Sequence, residues 1–205
     1  MGLHPDVSLA IIAGGHGSRL SGAPKGLLVH QGRSLLSRLL DLAPLVEDVL
    51  LVANDPEAYA TYALRTVPDV VPDRGAPGGV HTALLYARTE WVLALGCDMP
   101  FVTPAVAEVI LSERAGDLDI VAFEVGGRIE PLLAVYRAAI AERWGRSLVA
   151  EPSFKTLFQA FRSRLLAEDA LRAIDPDMRA IVSINTPSDL GRFEIRIPPP
   201  SRGAP

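Results

Sequence analysis

Short β-branched apolar runs alternate with stretches of helical periodicity along nearly the whole chain, and this alternation limits the fold more than any other feature of the sequence. Residues 8–13 (Ser-Leu-Ala-Ile-Ile-Ala) read as a buried strand, and residues 48–53, 69–72, 91–95, 120–125, 131–136 and 181–184 as further strands. Helical spacing marks residues 34–42, 80–88, 104–113 and 154–161. Pro104 suits a first helical position, and Thr186 followed by Pro187 reads as the cap and first residue of a short helix. Strand, helix, strand in repetition is the signature of βαβ units, so the predicted fold is α/β: a three-layer α/β/α sandwich on a mainly parallel sheet. With 205 residues and no long linker, residues 1–197 are expected to form one domain, followed by a Pro-rich tail, 198–205, expected to be disordered.

Several function classes are disfavoured by composition. The formal charge is −4 and no basic block stands out, so a nucleic-acid surface is not expected. Cys97 is the only cysteine, which excludes an intrachain disulfide and a multi-cysteine metal site. The histidines His4, His16, His30 and His81 never fall at HExxH spacing. No apolar run approaches the roughly 20 residues of a membrane span, and residues 1–6 lack the plan of a signal peptide. The expectation is a cytoplasmic protein.

The first strand empties into Gly14-Gly15-His16-Gly17-Ser18-Arg19-Leu20-Ser21-Gly22-Ala23-Pro24-Lys25. Connections between strand and helix usually run about two to six residues. This one is about twice as long, and its glycines let backbone N–H groups approach phosphate oxygens without a Cβ in the way. Arg19 can grip two phosphate oxygens at once and Lys25 supplies a movable point charge. The dinucleotide fingerprint is excluded because Leu20 stands at its third glycine, and the P-loop because Ala23-Pro24 replaces its Lys-Ser/Thr. What remains is a loop suited to a triphosphate, or else a plain connector.

Asp73 and Asp98 both fall at predicted strand ends, where open α/β sheets bind ligands. A Mg²⁺ site commonly takes one or two carboxylates, with substrate phosphates and water completing the shell. Either aspartate could instead serve only to order a turn. Cys97 has no evident histidine partner and reads as a small buried thiol.

Ile12-Ala13-Gly14-Gly15, Arg19, Lys25-Gly-Leu-Leu28 and Gly32 together resemble the molybdenum cofactor guanylyltransferases, within the small nucleotidyltransferases of Rossmann-like, nucleotide-diphospho-sugar transferase type. The resemblance runs from residue 9 to about residue 193 and implies that the first loop wraps the triphosphate of GTP, with Lys25 on the phosphates. Cys97-Asp98-Met99-Pro100 resembles the family's Cys-Asp-x-Pro stretch, which makes Asp98 the implied Mg²⁺ ligand. Asp73 and Asn54 match positions near the nucleotide, and the loop of residues 75–79, with Gly78, matches a Gly/Pro loop near the base. Asn185, in Asn-Thr-Pro-Ser-Asp-Leu190, and Glu130, in Glu-Pro-Leu-Leu-Ala-Val-Tyr136, match segments on the acceptor side. Two departures stand out: Pro24 replaces an acidic residue before the lysine, as in cytidylyl- and sugar-phosphate nucleotidyltransferases, and Ser183 replaces an asparagine.

The resemblance implies attack by the terminal phosphate of molybdopterin on the α-phosphorus of Mg·GTP, with pyrophosphate leaving. Catalytic roles then fall on Arg19, Lys25 and Asp98. A phosphate monoester needs no strong base, so positioning and charge neutralisation would suffice. Transfer from CTP to the same acceptor, nucleotidyl transfer to a sugar or alditol phosphate, and a non-catalytic nucleotide-binding regulator or scaffold are the other readings. Transient contact with cofactor-biosynthesis or acceptor proteins is also expected.

Overall fold

The first strand, β1 (His4–Ile12), is buried from Val7 onward, and its period of two sends alternate side chains into two separate layers. Val7, Leu9 and Ile11 enter one apolar cluster, whereas Ala10 and Ile12 enter the other. A computed structural model of the protein describes residues 2–14, 20, 24–150 and 153–198. Its further strands are β2 (Val29–His30), β3 (Arg33–Ser34), β4 (Val46–Val52), β5 (Arg65–Val67), β6 (Trp91–Gly96), β7 (Ile120–Val125), β8 (Arg128–Arg137), β9 (Ser163–Ala167) and β10 (Ile195–Arg196). The helices are α1 (Leu35–Leu39), α2 (Gly75–Tyr86), α3 (Pro104–Ser112), α4 (Ala141–Ser147), α5 (Phe154–Gln159), α6 (Glu168–Arg172) and α7 (Pro187–Arg192).

Seven strands form the central sheet in the order β5-β4-β1-β6-β8-β7-β9. Only β8 runs against the others, since it pairs antiparallel with both β6 and β7 while the remaining pairs are parallel. α1 and α3 cover one face through Leu36, Leu39, Val106 and Ile110. α2, α4 and α5 cover the other through Val80, Trp144 and Phe158. The mainly parallel three-layer sandwich predicted from the sequence is therefore the observed architecture. A small sheet, β10-β2-β3, sits beside it over a third cluster in which Leu20 and Leu28 meet Ile184 and Ile195.

Three predicted elements differ. Residues 69–72 are a turn, and the strand beside β4 is β5, a few residues earlier. The amide of Asp69 donates to Asn54 Oδ1 and that of Val70 to Thr82 Oγ1, so side chains take the hydrogen bonds that a ladder would have used. Residues 75–79 are not a loop but the first turns of α2. Pro77 is tolerated there because N–H groups of a first turn lack helical partners in any case. Gly79 is required by close approach, since a Cβ would lie 2.6 Å from Ile12 Cγ2. Residues 181–184 pair with no strand: Val182 N closes a turn onto the Arg179 carbonyl and Ile184 N donates to the Asp98 carbonyl.

Candidate active site

Strand order reverses at β1, which has β4 on one side and β6 on the other. A crevice opens at such a switch point, outside the carboxyl ends of the strands. Ile12 of β1 pairs with Gly96 of β6, so Gly14 and Asp98 emerge side by side, each two residues beyond that pair. The join is closed by Cys97 N donating to the Ile12 carbonyl at 3.0 Å.

Lys25 reaches this crevice from a single 3-10 turn, Lys25–Leu27, entered through Pro24 at φ −58°. The turn is clamped from below. Leu28 is fully buried, and Gly26 lies so near Tyr59 that a Cβ would stand 3.0 Å from its ring. From that base Lys25 Nζ donates to Asp98 Oδ2 at 2.8 Å and to Asn185 Oδ1 at 2.6 Å. The lysine and aspartate side chains are 24% and 17% exposed, sheltered enough to strengthen the pair yet still open to ligand.

Asp98 sits in the turn after β6, closed by Met99 N on the Gly96 carbonyl. Gly96 gives its carboxylate room, because a Cβ there would lie 2.7 Å from Asp98 Oδ1. Asn185 is positioned by the start of α7. Thr186 and Asp189 form a capping box, and Asp189 Oδ2 also accepts from Asn185 N at 2.9 Å. Three residues from widely separated parts of the sequence thus meet at one point.

The other expected residues stand around this centre. Ile12 is buried under Gly79, and Ala13 and Gly14 continue β1 into the crevice. Asn54 is held by Asp69, donating Nδ2 to Asp69 Oδ2 at 2.9 Å and accepting the Asp69 amide at 2.8 Å. Asp73 is exposed in the turn before α2, at φ +58°, and lies beyond β5 rather than at the end of the predicted strand. Gly78 is buried within α2, its N–H already donating to the Arg74 carbonyl, so it is not an open loop amide. Glu130 stands near the start of β8, three residues before the Leu133 that faces Leu95 of β6, at the same end of the sheet as Asp98. Burial raises its carboxyl pKa, and nearby Arg128 opposes the shift. Gly15 and Arg19 lie outside the described residues.

Two positions carried no signal in the sequence. Asp69 orders the turn before α2, its Oδ1 is buried with no hydrogen-bond partner among the described residues, and its Oδ2 would lie 3.4 Å from a Cβ placed on Gly14. Trp144, fully buried on α4, donates Nε1 to the Pro77 carbonyl at 3.0 Å and so fixes the first turn of α2 from behind. Only the fold reveals these contacts, which span 15 and 67 positions of sequence. Cys97 is buried, and burial first, with the Asp98 charge second, push its thiol pKa far up.

Among the described residues no group of three or more His, Cys, Asp or Glu could hold a metal ion by itself. One accessible carboxylate, cradled by Gly96, suits a hard cation that arrives with phosphate oxygens and water completing its shell. Among the described residues the N-terminus of α2 has no side-chain cap. No helix among the described residues is long and apolar enough to cross a membrane.

Known proteins resemble this chain in sequence and in fold. Residues 9–170 match the family model described as the MobA-like NTP transferase domain. A molybdenum cofactor guanylyltransferase of Desulfosudis oleivorans is 32% identical over 189 residues, covering 91% of this chain and 94% of that protein. A probable molybdenum cofactor guanylyltransferase of Chloroflexus aggregans is 33% identical over 196 residues, covering 93% and 94%. Among solved structures, molybdopterin-guanine dinucleotide biosynthesis protein A of Archaeoglobus fulgidus superposes with a TM-score of 0.77 at 25% identity, over 91% of this chain and 96% of that one.

Proposed function

The chain belongs to the MobA-like NTP transferase family, and from that premise we propose that it transfers GMP from GTP to the terminal phosphate of molybdopterin. The observation that carries this reading is the convergence of Lys25, Asp98 and Asn185 beside the strand end that opens the glycine-rich loop.

The triphosphate lies along that loop, with Lys25 and Arg19 neutralising its charge. Asp98 would hold Mg²⁺, and the ion would supply charge neutralisation at the phosphates. The base rests toward the uncapped start of α2, near Asp73 and the turn ordered by Asn54 and Asp69. Asn185 and Glu130 face the acceptor. A terminal phosphate oxygen of molybdopterin attacks the α-phosphorus, the new P–O bond forms, the bond to the β-phosphate oxygen breaks, and pyrophosphate leaves with that electron pair. No residue needs to remove a proton, because the attacking monoester is already anionic. Alignment and charge neutralisation then account for the rate.

The decisive experiment offers molybdopterin and several sugar phosphates to the purified protein with each of the four ribonucleoside triphosphates and Mg²⁺. Pyrophosphate release and label transfer from the α-phosphate are followed. Transfer from GTP to molybdopterin is the expected result. Preference for CTP, favoured by the Pro24-Lys25 pair alone, or transfer only to sugar phosphates, would overturn it.

A further inference from the structure

The carboxylate best placed to bind a metal ion is occupied, in the protein without ligands, by a cation of the protein's own. Lys25 Nζ is 2.8 Å from Asp98 Oδ2 and 2.6 Å from Asn185 Oδ1, so two of its three N–H donors are committed. An ion arriving alone would have to drive the ammonium off that oxygen and leave it in a sheltered groove without its carboxylate. Separating such a pair is costly when no replacement is offered. A triphosphate offers one, since its oxygens can accept the same donors. The backbone of Lys25 is clamped by Pro24, Gly26 and Leu28, so the exchange requires only rotation of its four-carbon stem.

We propose that Lys25 is a placeholder cation: it holds Asp98 and Asn185 together at rest, and passes to the phosphates when a metal-bound triphosphate enters. The passage frees Asp98 Oδ2 for the metal ion and the Asn185 amide oxygen for the acceptor. This mechanism rests on the reading of the site as one for a metal–triphosphate complex and adds its order of filling. Metal and triphosphate each tighten the binding of the other by the same factor, as linkage requires. The acceptor finds Asn185 available only after the nucleotide has arrived.

Mn²⁺ binding to the full chain, read from the free-ion paramagnetic resonance signal with no acceptor present, tests this without turnover. The wild type, Lys25→Met, Lys25→Arg and Asp98→Asn are compared with and without a non-hydrolysable GTP analogue, each checked for fold by circular dichroism. Wild-type protein should bind Mn²⁺ weakly alone and about tenfold more tightly or better with the analogue, within the usual range of coupling. Lys25→Met should bind Mn²⁺ alone about tenfold more tightly than the wild type and lose most of the coupling. Lys25→Arg, which keeps a cation on the carboxylate, should stay weak, and Asp98→Asn should gain nothing from the analogue beyond the Mn²⁺ that the analogue chelates without protein. A Lys25→Met protein that is folded yet binds Mn²⁺ no better than the wild type overturns the exchange, even if the wild type couples metal to the analogue and the nucleotide reading stands. A gain in Lys25→Met together with no analogue binding by any folded variant supports the resting hold of Lys25 on Asp98 but overturns its passage to phosphates, and the nucleotide reading with it.

Discussion

Asp98 and Lys25 touch each other at rest, yet their replacement should have different consequences. Asp98→Ala removes the carboxylate that the proposed chemistry requires and should lower turnover by roughly 10²-fold or more, the order seen when one preorganised charge-stabilising group is removed. Pyrophosphate release, set beside an unchanged circular dichroism spectrum, checks it; activity near wild type would remove Asp98 from the mechanism. Lys25→Ala loses one charge-assisted contact and should weaken productive triphosphate binding by about 1.5–3 kcal/mol, seen as a raised KM for GTP. Gly96→Ala separates site from scaffold in another way. The new Cβ would meet Asp98 Oδ1 at 2.7 Å, so the carboxylate must turn away and activity should fall more than stability does. At this scale the sequence was informative where a residue's role depends on its neighbours in the chain: Gly96-Cys97-Asp98 after an apolar run, or Lys25 closing a glycine-rich loop. It was silent on Asp69 and Trp144, whose roles depend on contacts far along the chain.

At the scale of elements, strands buried on both faces were legible because that burial leaves an unbroken apolar run, as in β1 and β6, whereas residues 69–72 and 181–184, also read as strands, form none. The first turns of α2 were misread because Gly75, Pro77, Gly78 and Gly79 are loop-formers by propensity; packing against Ile12 overrides that preference. Thr186 was read correctly from its local pattern, and its capping box gives a prediction. Thr186→Ala should cost about 1 kcal/mol of stability and, by loosening the segment that presents Asn185, affect the acceptor more than the nucleotide. Urea denaturation and separate KM values for the two substrates check both parts.

Where α2 meets α4 there is also a pH effect. His81 is buried, its Nδ1 has no partner among the described residues, and Gly145 leaves just enough room for its ring. Burial lowers its pKa below the ordinary 6.5. The sign follows: above about pH 6.5 the group is neutral both folded and unfolded and costs nothing. As pH falls through that value the unfolded chain takes up the proton first, and stability drops. Thermal melts of His81→Gln between pH 7.5 and 5 should lose less stability than the wild type, and an identical pH slope would count against His81 as a source.

For the molecule as a whole, the end of β6 and the segments that carry Lys25 and Asn185 bring residues 25, 98 and 185 together without a ligand. The mainly parallel sandwich was legible because alternation of strands and helices permits few arrangements. The strand order, with its reversal at β1 and the lone antiparallel β8, was not, because pairing partners are fixed by which apolar faces meet and not by any local sequence. A global measurement can therefore test the local claim. A ligand that binds only the folded state at about 100 times its dissociation constant stabilises it by about 2.7 kcal/mol. In a chain of this length that corresponds to a rise in Tm of roughly 5–10 °C, at about 2–4 °C per kcal/mol. If Lys25 must leave Asp98 before metal enters, Mg²⁺ alone should move the melting transition little, GTP alone modestly, and the two together by more than the sum of their separate shifts. Asp98→Asn should retain the GTP shift and lose the excess. Additive shifts in the wild-type protein would mean that metal entry does not depend on Lys25 leaving Asp98 for the nucleotide, and the site would have to be assembled from other residues.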